Sequence, residues 1–471
     1  MSDDLAIGRP GATSVVTTKL EEAAGALRAL HAELGRYRRE LAALDRIVTS
    51  AALSSADAPI SAMAAERAID DAEAGLARSE GTSTRMAHGL GQAAGRYEFA
   101  EGFASRAAQS LAALFGYDLG FFLPALALCA LAGLTAAGGA AALTVAGLPQ
   151  DQRRALYTEL AGWAGVHKGA LSDPRVVELV RLSVMSADDF GGGALHLPFA
   201  ATHLLGDEGL GIVGPDSSAA AVRALAAPFG MLAETPISVR MIRTEGSQEP
   251  ARGFRERAGR IPTDGTPVRI DRISAPGQAD RFEVFLAGTS DFSLTAGDDP
   301  WDMTSNLSAI AGGSAGSYRA AQEAMAQAGI TAASPVVFTG YSQGGLIAAR
   351  LAASGDYHTT GLVTLGGPAG QVSVPNAIPY VAVEHTEDIV PATGGTFASS
   401  QPVLVRRSVF DGHPPDGPAA FPAHQLARYR QTAGLLDASS NPRVTDALRA
   451  IDGPSLLGTT VTSTFYTARR G

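Results

Sequence analysis

The stretch that most constrains this chain is residues 335–345, Pro-Val-Val-Phe-Thr-Gly-Tyr-Ser-Gln-Gly-Gly. Its first half has the β-branched and aromatic residues of a buried strand, and the apolar run that follows has helical character. A Gly-x-Ser-x-Gly turn at such a junction holds the serine hydroxyl out of the sheet, with the next N–H directed to the same spot. Gly340 and Gly344 leave room for the turn. The pattern predicts strand, turn and helix, with Ser342 as a candidate nucleophile.

A second Gly-x-Ser-x-Gly match surrounds Ser314 at residues 312–316. With 54 glycines in the chain, chance matches are expected, and only the structural context distinguishes them. Residues 304–310 precede this second match and lack the β-branched run of a buried strand. Context therefore favours Ser342, and the alternative for either serine is a glycine-rich turn without chemistry.

A serine nucleophile needs a base, and the base needs a carboxylate. A strand predicted over 378–383 is followed by three acidic residues. Asp388 is favoured because it lies in the loop beyond the strand's carboxyl end, where α/β sheets collect functional groups. Glu384 adjoins the strand end, and Glu387 is expected to be a solvated charge.

Three of the histidines that follow Ser342 are candidate bases. His424 opens a helical stretch after a strand expected at 403–409, a junction from which a base can project over the sheet edge. His413 lies among prolines, as in a surface turn. His385 follows Glu384 at the end of the strand predicted over 378–383. We therefore predict the order Ser342, Asp388, His424.

From residue 236 onward, strands and helices alternate, which predicts an α/β fold with a mostly parallel sheet covered on both faces. A Pro276-Gly277 turn signal links the second and third of these strands as a hairpin. The predicted strands are 237–242, 268–273, 282–286, 336–339, 362–365 and 378–383.

The N-terminal part is predicted to be helical. Leucines and other apolar residues recur at intervals of seven over residues 18–48, with a capping box formed by Thr18 and Glu21. A second periodic stretch from 69 to 97 predicts an antiparallel helical hairpin. Residues 119–148 contain no charge, and either a membrane-spanning segment or a buried hairpin fits them.

These patterns divide the chain into four parts. They are a helical hairpin domain (1–112), a hydrophobic membrane-or-core segment (113–150), a helical connecting region (151–232) and an α/β domain (233–471). A net charge of −10 argues against a nucleic-acid partner. The single cysteine, Cys129, and the absence of zinc-ligand spacing imply neither a disulfide nor a metal site. The N-terminus lacks the pattern of an ordinary secretory signal.

Residues 236–436 resemble the α/β-hydrolase superfamily, most closely its cutinase-like, PE-PPE-domain and lipase-like branches. The Gly-Tyr-Ser-Gln-Gly core around Ser342 has the cutinase-like form, and Asp388-Ile389-Val390-Pro391 is similar to the Asp-x-Val-Pro turn of lipases. His424 with Tyr429 is similar to the late His-and-Tyr helix of that branch.

This resemblance implies a serine esterase or lipase-like hydrolase that cleaves carboxylic esters or thioesters, of lipids or small acyl groups, through an acyl-enzyme. The turn Gly288-Thr289-Ser290 resembles the oxyanion turn of the lipase branch. The oxyanion would be held by the N–H of Gln343 and by one from Thr289 or Ser290. No cofactor or metal is implied.

The N-terminal hairpin resembles those of type VII secretion substrates of mycobacteria and their relatives, with Tyr97 and Glu101 at the positions of a Tyr-x-x-x-Asp/Glu export signal. The resemblance implies a protein of the cell envelope, or one secreted without a standard signal. It also allows membrane contact through 119–148 and pairing of the hairpin with itself or a partner helix. The alternatives are an ordinary helical domain in a cytoplasmic protein, and a type VII-associated surface or interaction protein with a degenerate hydrolase domain.

Overall fold

The computed structural model describes two N-terminal helical stretches, a short helical segment of the connecting region and most of the C-terminal half. The described residues are 5–8, 15–48, 67–92, 162, 165–166, 168–185, 234–290, 297–310, 313–397, 402–410, 419, 421–454 and 458–471. The predicted domain boundaries near 112, 150 and 232 lie outside these residues, as do the charge-free segment 119–148 and the pair Tyr97 and Glu101.

A mixed sheet of nine described strands forms the centre of the fold, in the order β1-β8-β7-β6-β5-β4-β3-β9-β2. The strands are β1 Leu5–Gly8, β2 Ile237–Gln248, β3 Val268–Ser274, β4 Arg281–Leu286, β5 Pro335–Tyr341, β6 His358–Leu365, β7 Tyr380–His385, β8 Val403–Arg407 and β9 Thr460–Arg470. The sheet confirms the α/β class that the alternation of elements predicted.

The expectation of a mostly parallel sheet is correct only for the centre. Strands β4 to β8 pair in parallel, in sequence order. The flanks are antiparallel: β3 pairs with β4 and β9, β2 pairs with β9, and β1 pairs with β8. The β3–β4 link is the predicted hairpin, and Gly277 supplies its positive φ of 72°. The sheet is mixed because β1 and β3 run opposite to the central strands beside them. Strand β9 lies between β3 and β2 and runs opposite to both.

Helices cover both faces of the sheet. Successive side chains of a strand point to opposite faces, so each strand contributes to two separate hydrophobic cores. Val336 and Phe338 of β5 join one core, while Val337 between them joins the other. Each such buried side chain contributes about 1.5–3 kcal/mol. The helices on the first face are Met303–Ile310, Gly316–Gln327 and Gln343–Ala353, and those on the second are Gly253–Arg260, Leu426–Asp437 and Pro442–Asp452.

The first N-terminal helix spans Val15–Val48, and residues 67–92 are also helical. The capping-box prediction is wrong, because the helix begins three residues before Thr18. Arg38 forms an ion pair with Glu80 of the second stretch at 2.6 Å. Two residues of the predicted heptad seam, Leu30 and Tyr37, are 45% and 41% exposed. The described contacts between the helical stretches thus include an ion pair, while these two residues of the predicted seam are exposed.

In the connecting region, the described helix Pro174–Met185 packs against the short helix Ile389–Ala392 of the α/β part. Among the helices that the structure describes, none combines the length and the apolar character needed to cross a bilayer.

Candidate active site

Ser342 occupies a strained turn between β5 and the helix Gln343–Ala353. Its φ of 55° and ψ of −124° make it the one non-glycine residue with positive φ in the described part of the chain. A backbone in this region costs about 1–3 kcal/mol and persists only where the surroundings enforce it. The Ser342 N–H donates to the carbonyl of Leu365 at the end of β6 (2.9 Å), and its carbonyl accepts from the N–H of Gly345 (2.9 Å). These bonds hold the side chain at the carboxyl edge of the sheet.

The two glycines of the motif are required by close backbone approach. A Cβ on Gly340 would lie 2.1 Å from the carbonyl oxygen of Gly344. A Cβ on Gly344 would lie 2.4 Å from the carbonyl oxygens of Leu286 and Ala287, where β4 ends. The turn is therefore compressed between its own helix and the neighbouring strand, which is why the Gly-x-Ser-x-Gly spacing is needed here.

A continuous chain of hydrogen bonds joins the three residues predicted as nucleophile, base and acid. The distance from His424 Nε2 to Ser342 Oγ is 2.8 Å, and that from His424 Nδ1 to Asp388 Oδ2 is 2.6 Å. All three side chains are buried, with Ser342 5% and His424 7% exposed. His424 ends the 3-10 turn Pro422–His424, directly before the helix Leu426–Asp437. The structure thus brings together residues that are 36 and 82 positions apart.

Asp388 follows β7 and caps the short helix Ile389–Ala392. Its Oδ1 accepts from the N–H of Val390 (3.0 Å), and its Oδ2 accepts from the hydroxyl of Tyr429 (2.7 Å). Burial by itself would raise the pKa of this carboxyl, but the charge of His424 and the hydrogen bonds from His424, Tyr429 and Val390 hold the pKa below its usual value. The carboxylate therefore stays ionised beside the imidazole.

Two tyrosines fix the geometry around the histidine. The Tyr341 hydroxyl donates to the carbonyl of His424, and its ring stacks on the imidazole with centroids 5.1 Å apart. Burial raises the pKa of Tyr341, and burial together with Asp388 raises that of Tyr429. Both hydroxyls therefore remain protonated donors. The sequence places Tyr429 five residues after His424, but the motif that contains Tyr341 does not reveal its contact with His424, which is 83 residues away.

His385 is close to this chain of hydrogen bonds but is not part of it. Its Nδ1 lies 2.7 Å from the carbonyl of Ala423, its Nε2 lies 2.9 Å from Thr432 Oγ1, and its ring stacks on Tyr429 at 3.9 Å. Burial lowers the pKa of His385 to about 4. Both ring nitrogens have partners, so this histidine braces the residue before His424.

The competing carboxylates are both occupied elsewhere. Glu384 pairs with Arg181 (3.1 Å) and Arg406 (3.2 Å). The expectation that Glu387 is solvated is wrong: it is 3% exposed and accepts from the N–H groups of Val409 and Phe410. Those donors come from the chain after β8, which its position in the sequence did not reveal.

The turn predicted to supply an oxyanion donor lies against Ser342. A Cβ on Gly288 would be 3.0 Å from Ser342 Cβ. The N–H of Ser290, however, donates to the carbonyl of Trp301 (2.9 Å), so it is not free for an oxyanion. Thr289 remains as the candidate from this turn, its hydroxyl held by the amide of Asn306 (2.9 Å).

Gln343 is the first residue of the helix that follows Ser342, where N–H groups have no partner within the helix. Its side chain points elsewhere, donating to Ser317 Oγ (3.0 Å). The N–H of Gln343 is therefore the other candidate donor beside Ser342, as the sequence predicted from the turn.

The second serine motif has none of these features. Ser314 is exposed and lies just before the helix Gly316–Gln327, and its φ is not positive. His413 lies outside the described residues. No cluster of three or more His, Cys, Asp or Glu side chains suited to a metal ion occurs within the described ranges.

No family model, curated protein or solved structure matches the chain. A functional assignment therefore depends on the geometry around Ser342.

Proposed function

We propose that the chain is a serine hydrolase of the α/β-hydrolase type that cleaves carboxylic esters or thioesters through an acyl-enzyme. The observation that carries this proposal is the hydrogen-bonded series Ser342, His424, Asp388, with the serine at positive φ between a strand and a helix. A buried serine whose hydroxyl contacts an imidazole, itself held by an ionised carboxylate, is the arrangement that activates a serine oxygen.

Acylation would begin when Ser342 Oγ attacks the substrate carbonyl and His424 Nε2 accepts the hydroxyl proton. The negative charge on the carbonyl oxygen would be held by the N–H groups of Gln343 and Thr289, each worth about 3 kcal/mol. Collapse of the tetrahedral intermediate breaks the bond to the alcohol or thiol, which takes the proton from His424. Water then attacks the acyl-enzyme by the same route and restores Ser342.

Asp388 would hold the Nδ1–H tautomer of His424 and stabilise the imidazolium that forms in each step. The bonds from Tyr429 and Val390 keep its carboxylate in place, and the lowered pKa keeps it charged. No step in this scheme needs a metal or an organic cofactor.

The test is hydrolysis of p-nitrophenyl esters by the purified chain. Ser342→Ala should remove turnover because it deletes the attacking oxygen, and Ser314→Ala should keep it. A series of acyl chain lengths would separate a lipid-like from a small-ester preference. Loss of turnover in Ser314→Ala alone, or turnover in Ser342→Ala equal to wild type, would contradict the proposal. No esterase activity at all in the wild type would favour the alternative of an interaction protein with a degenerate hydrolase domain.

Export by a type VII-like route, membrane contact through residues 119–148 and pairing of the N-terminal helices are further parts of the proposal. The last is supported by Leu30 and Tyr37, which are seven residues apart and exposed on one helix. Carbonate extraction of expressing cells tests the membrane contact, and complete release of the chain would contradict it.

A further inference from the structure

The helix Pro174–Met185 belongs to the connecting region, yet one of its side chains enters the part of the fold that carries Asp388. Arg181 is 4% exposed. Its NH1 group donates to the carbonyl of Gly395 (2.8 Å), and its NH2 group donates to Glu384 Oε2 (3.1 Å). A buried arginine with two distant acceptors is a structural tie between them.

The two acceptors bracket Asp388 along the chain. Glu384 lies in β7, four residues before Asp388, and Gly395 follows the short helix Ile389–Ala392 that Asp388 caps. A guanidinium group is planar and presents its donors in a rigid fork. Arg181 therefore fixes the separation of the two ends of the segment 384–395.

Close packing leaves this segment little freedom to adjust by itself. A Cβ on Gly394 would lie 2.4 Å from the backbone of Pro368, and one on Gly395 would lie 2.6 Å from the sulfur of Met185. The segment is thus packed against the loop after β6 and also against the helix that carries Arg181. The backbone between the two acceptors of Arg181 is short and tightly packed, which provides a route from Arg181 to Asp388.

Glu384 does not depend on Arg181 alone. It also pairs with Arg406 at 3.2 Å. Removal of Arg181 therefore leaves the carboxylate with a cationic partner, which limits the penalty of an uncompensated buried charge. Substitution at position 181 can thus test the geometry of the segment without stripping Glu384 of every partner.

We infer that Arg181 is a positioning residue for Asp388, so that the connecting region completes the active site. This inference rests on the proposed function. Arg181 touches neither Ser342 nor His424 in the described contacts, and it acts through the backbone on either side of the acid. Displacement of Asp388 by a fraction of an ångström weakens its bond to His424, which affects the reaction step rather than substrate binding.

The experiment compares Arg181→Met with Arg181→Lys and with the control Arg175→Met. Arg175 lies on the same helix, is exposed and pairs only with the nearby Asp173 in the described contacts. Hydrolysis of p-nitrophenyl butyrate is measured, and active sites are counted by titration with a fluorophosphonate. Arg181→Met should lower kcat per titrated site by about 10- to 100-fold and leave KM within about twofold.

Arg181→Lys should recover part of the loss because an ammonium can still reach one acceptor, and Arg175→Met should match wild type. The double variant Arg181→Met with Glu384→Gln should lose little more than the Arg181 variant, because both act on one segment. A kcat per titrated site equal to wild type in Arg181→Met would overturn the inference.

A second readout does not depend on turnover. The proton between His424 Nδ1 and Asp388 should give a downfield NMR signal, to be assigned by its loss in Asp388→Asn. That signal should shift or broaden in Arg181→Met and stay unchanged in Arg175→Met. An unchanged signal in Arg181→Met overturns the inference even if the ester assay fails. Absence of turnover in wild type contradicts the proposed function separately.

Discussion

At the scale of single residues, the carboxylate of Asp388 has more hydrogen-bond partners than orienting His424 requires. Besides His424 it accepts from Val390 N–H and from the hydroxyl of Tyr429. Tyr429 is fully buried, and its ring stacks on His385. The Tyr429 hydroxyl therefore links the helix Leu426–Asp437 to Asp388. Substitution of this tyrosine by phenylalanine removes the hydrogen bond and keeps the packed ring.

Tyr429→Phe tests the value of that bond. The phenylalanine ring keeps the stacking on His385 and lacks the hydroxyl, which donates to Asp388 Oδ2 (2.7 Å) and accepts a longer bond from the N–H of His385 (3.4 Å). We expect kcat for ester hydrolysis to fall about tenfold, the equivalent of one hydrogen bond to a charged group, with KM nearly unchanged. Steady-state kinetics measure it, and a wild-type kcat would mean that His424 and Val390 suffice to hold the carboxylate.

At Gly340, the space left by neighbouring backbone atoms decides whether the turn around Ser342 can form. A methyl group there would overlap the carbonyl of Gly344, so Gly340→Ala should destabilise the fold by about 3 kcal/mol and displace Ser342. Gly259→Ala is the matched control, since that glycine is exposed in the helix Gly253–Arg260 with no atom within 4 Å of the added Cβ. It should stabilise the chain by about 0.5–1 kcal/mol.

Urea unfolding of the two glycine variants provides the comparison. Equal stability of Gly340→Ala and wild type, with activity retained, would show that the turn around Ser342 has more room than the distances to a Cβ on Gly340 indicate.

At the scale of elements, His385 connects β7 to the turn that carries His424 and to the helix that follows it. Burial lowers the pKa of His385 to about 4, against about 6.5 in an unfolded chain. As pH falls below 6.5, His385 takes up a proton in the unfolded state, whereas in the folded state it stays neutral until about pH 4. The contribution of His385 to the free energy of unfolding is therefore fully present above pH 6.5, and about 3 kcal/mol is lost on going down to pH 4.

His385→Gln, which cannot titrate, should show a correspondingly shallower loss of stability over this range. Urea midpoints at pH 7, 5.5 and 4 for both proteins measure the difference. Carboxylates that titrate in the same range contribute equally to wild type and variant, so the difference between the two isolates His385. Parallel curves would contradict the account.

The elements that the sequence predicted are those with local signals. The turn around Ser342 and its flanking strand and helix are contiguous in sequence, and the hairpin between β3 and β4 has its Pro-Gly turn. Strand β9 was not predicted, because Thr460–Arg470 has few large apolar residues and its partners β3 and β2 precede it by about 190 to 230 residues. Strand β1 has four residues, and among the described strands it pairs with β8 alone.

The residues of the site also fall into those with a local sequence signal and those without one. Ser342, Asp388 and His424 follow from motif, chain order and their places at element ends. The engagement of the Ser290 N–H with Trp301, the burial of Glu387 and the reach of Arg181 all depend on contacts between segments distant in sequence. Type and spacing of residues carry no record of such contacts.

At the scale of the whole molecule, a parallel centre flanked by antiparallel strands presents one edge on which β5, β7 and the segment before Leu426–Asp437 deliver one reactive group each. A helix from the connecting region packs at the same edge. The proposed function therefore requires that the groups at this edge activate Ser342.

Mass spectrometry of the fluorophosphonate-treated protein tests that claim most directly. Wild type should carry one adduct, on the peptide that contains Ser342, and the labelling rate should fall by several orders of magnitude in His424→Ala and in Asp388→Ala. The double variant should be little slower than either single one, because the three residues act as a unit. An adduct on Ser314, or labelling of Ser342 at the wild-type rate without His424, would contradict the account.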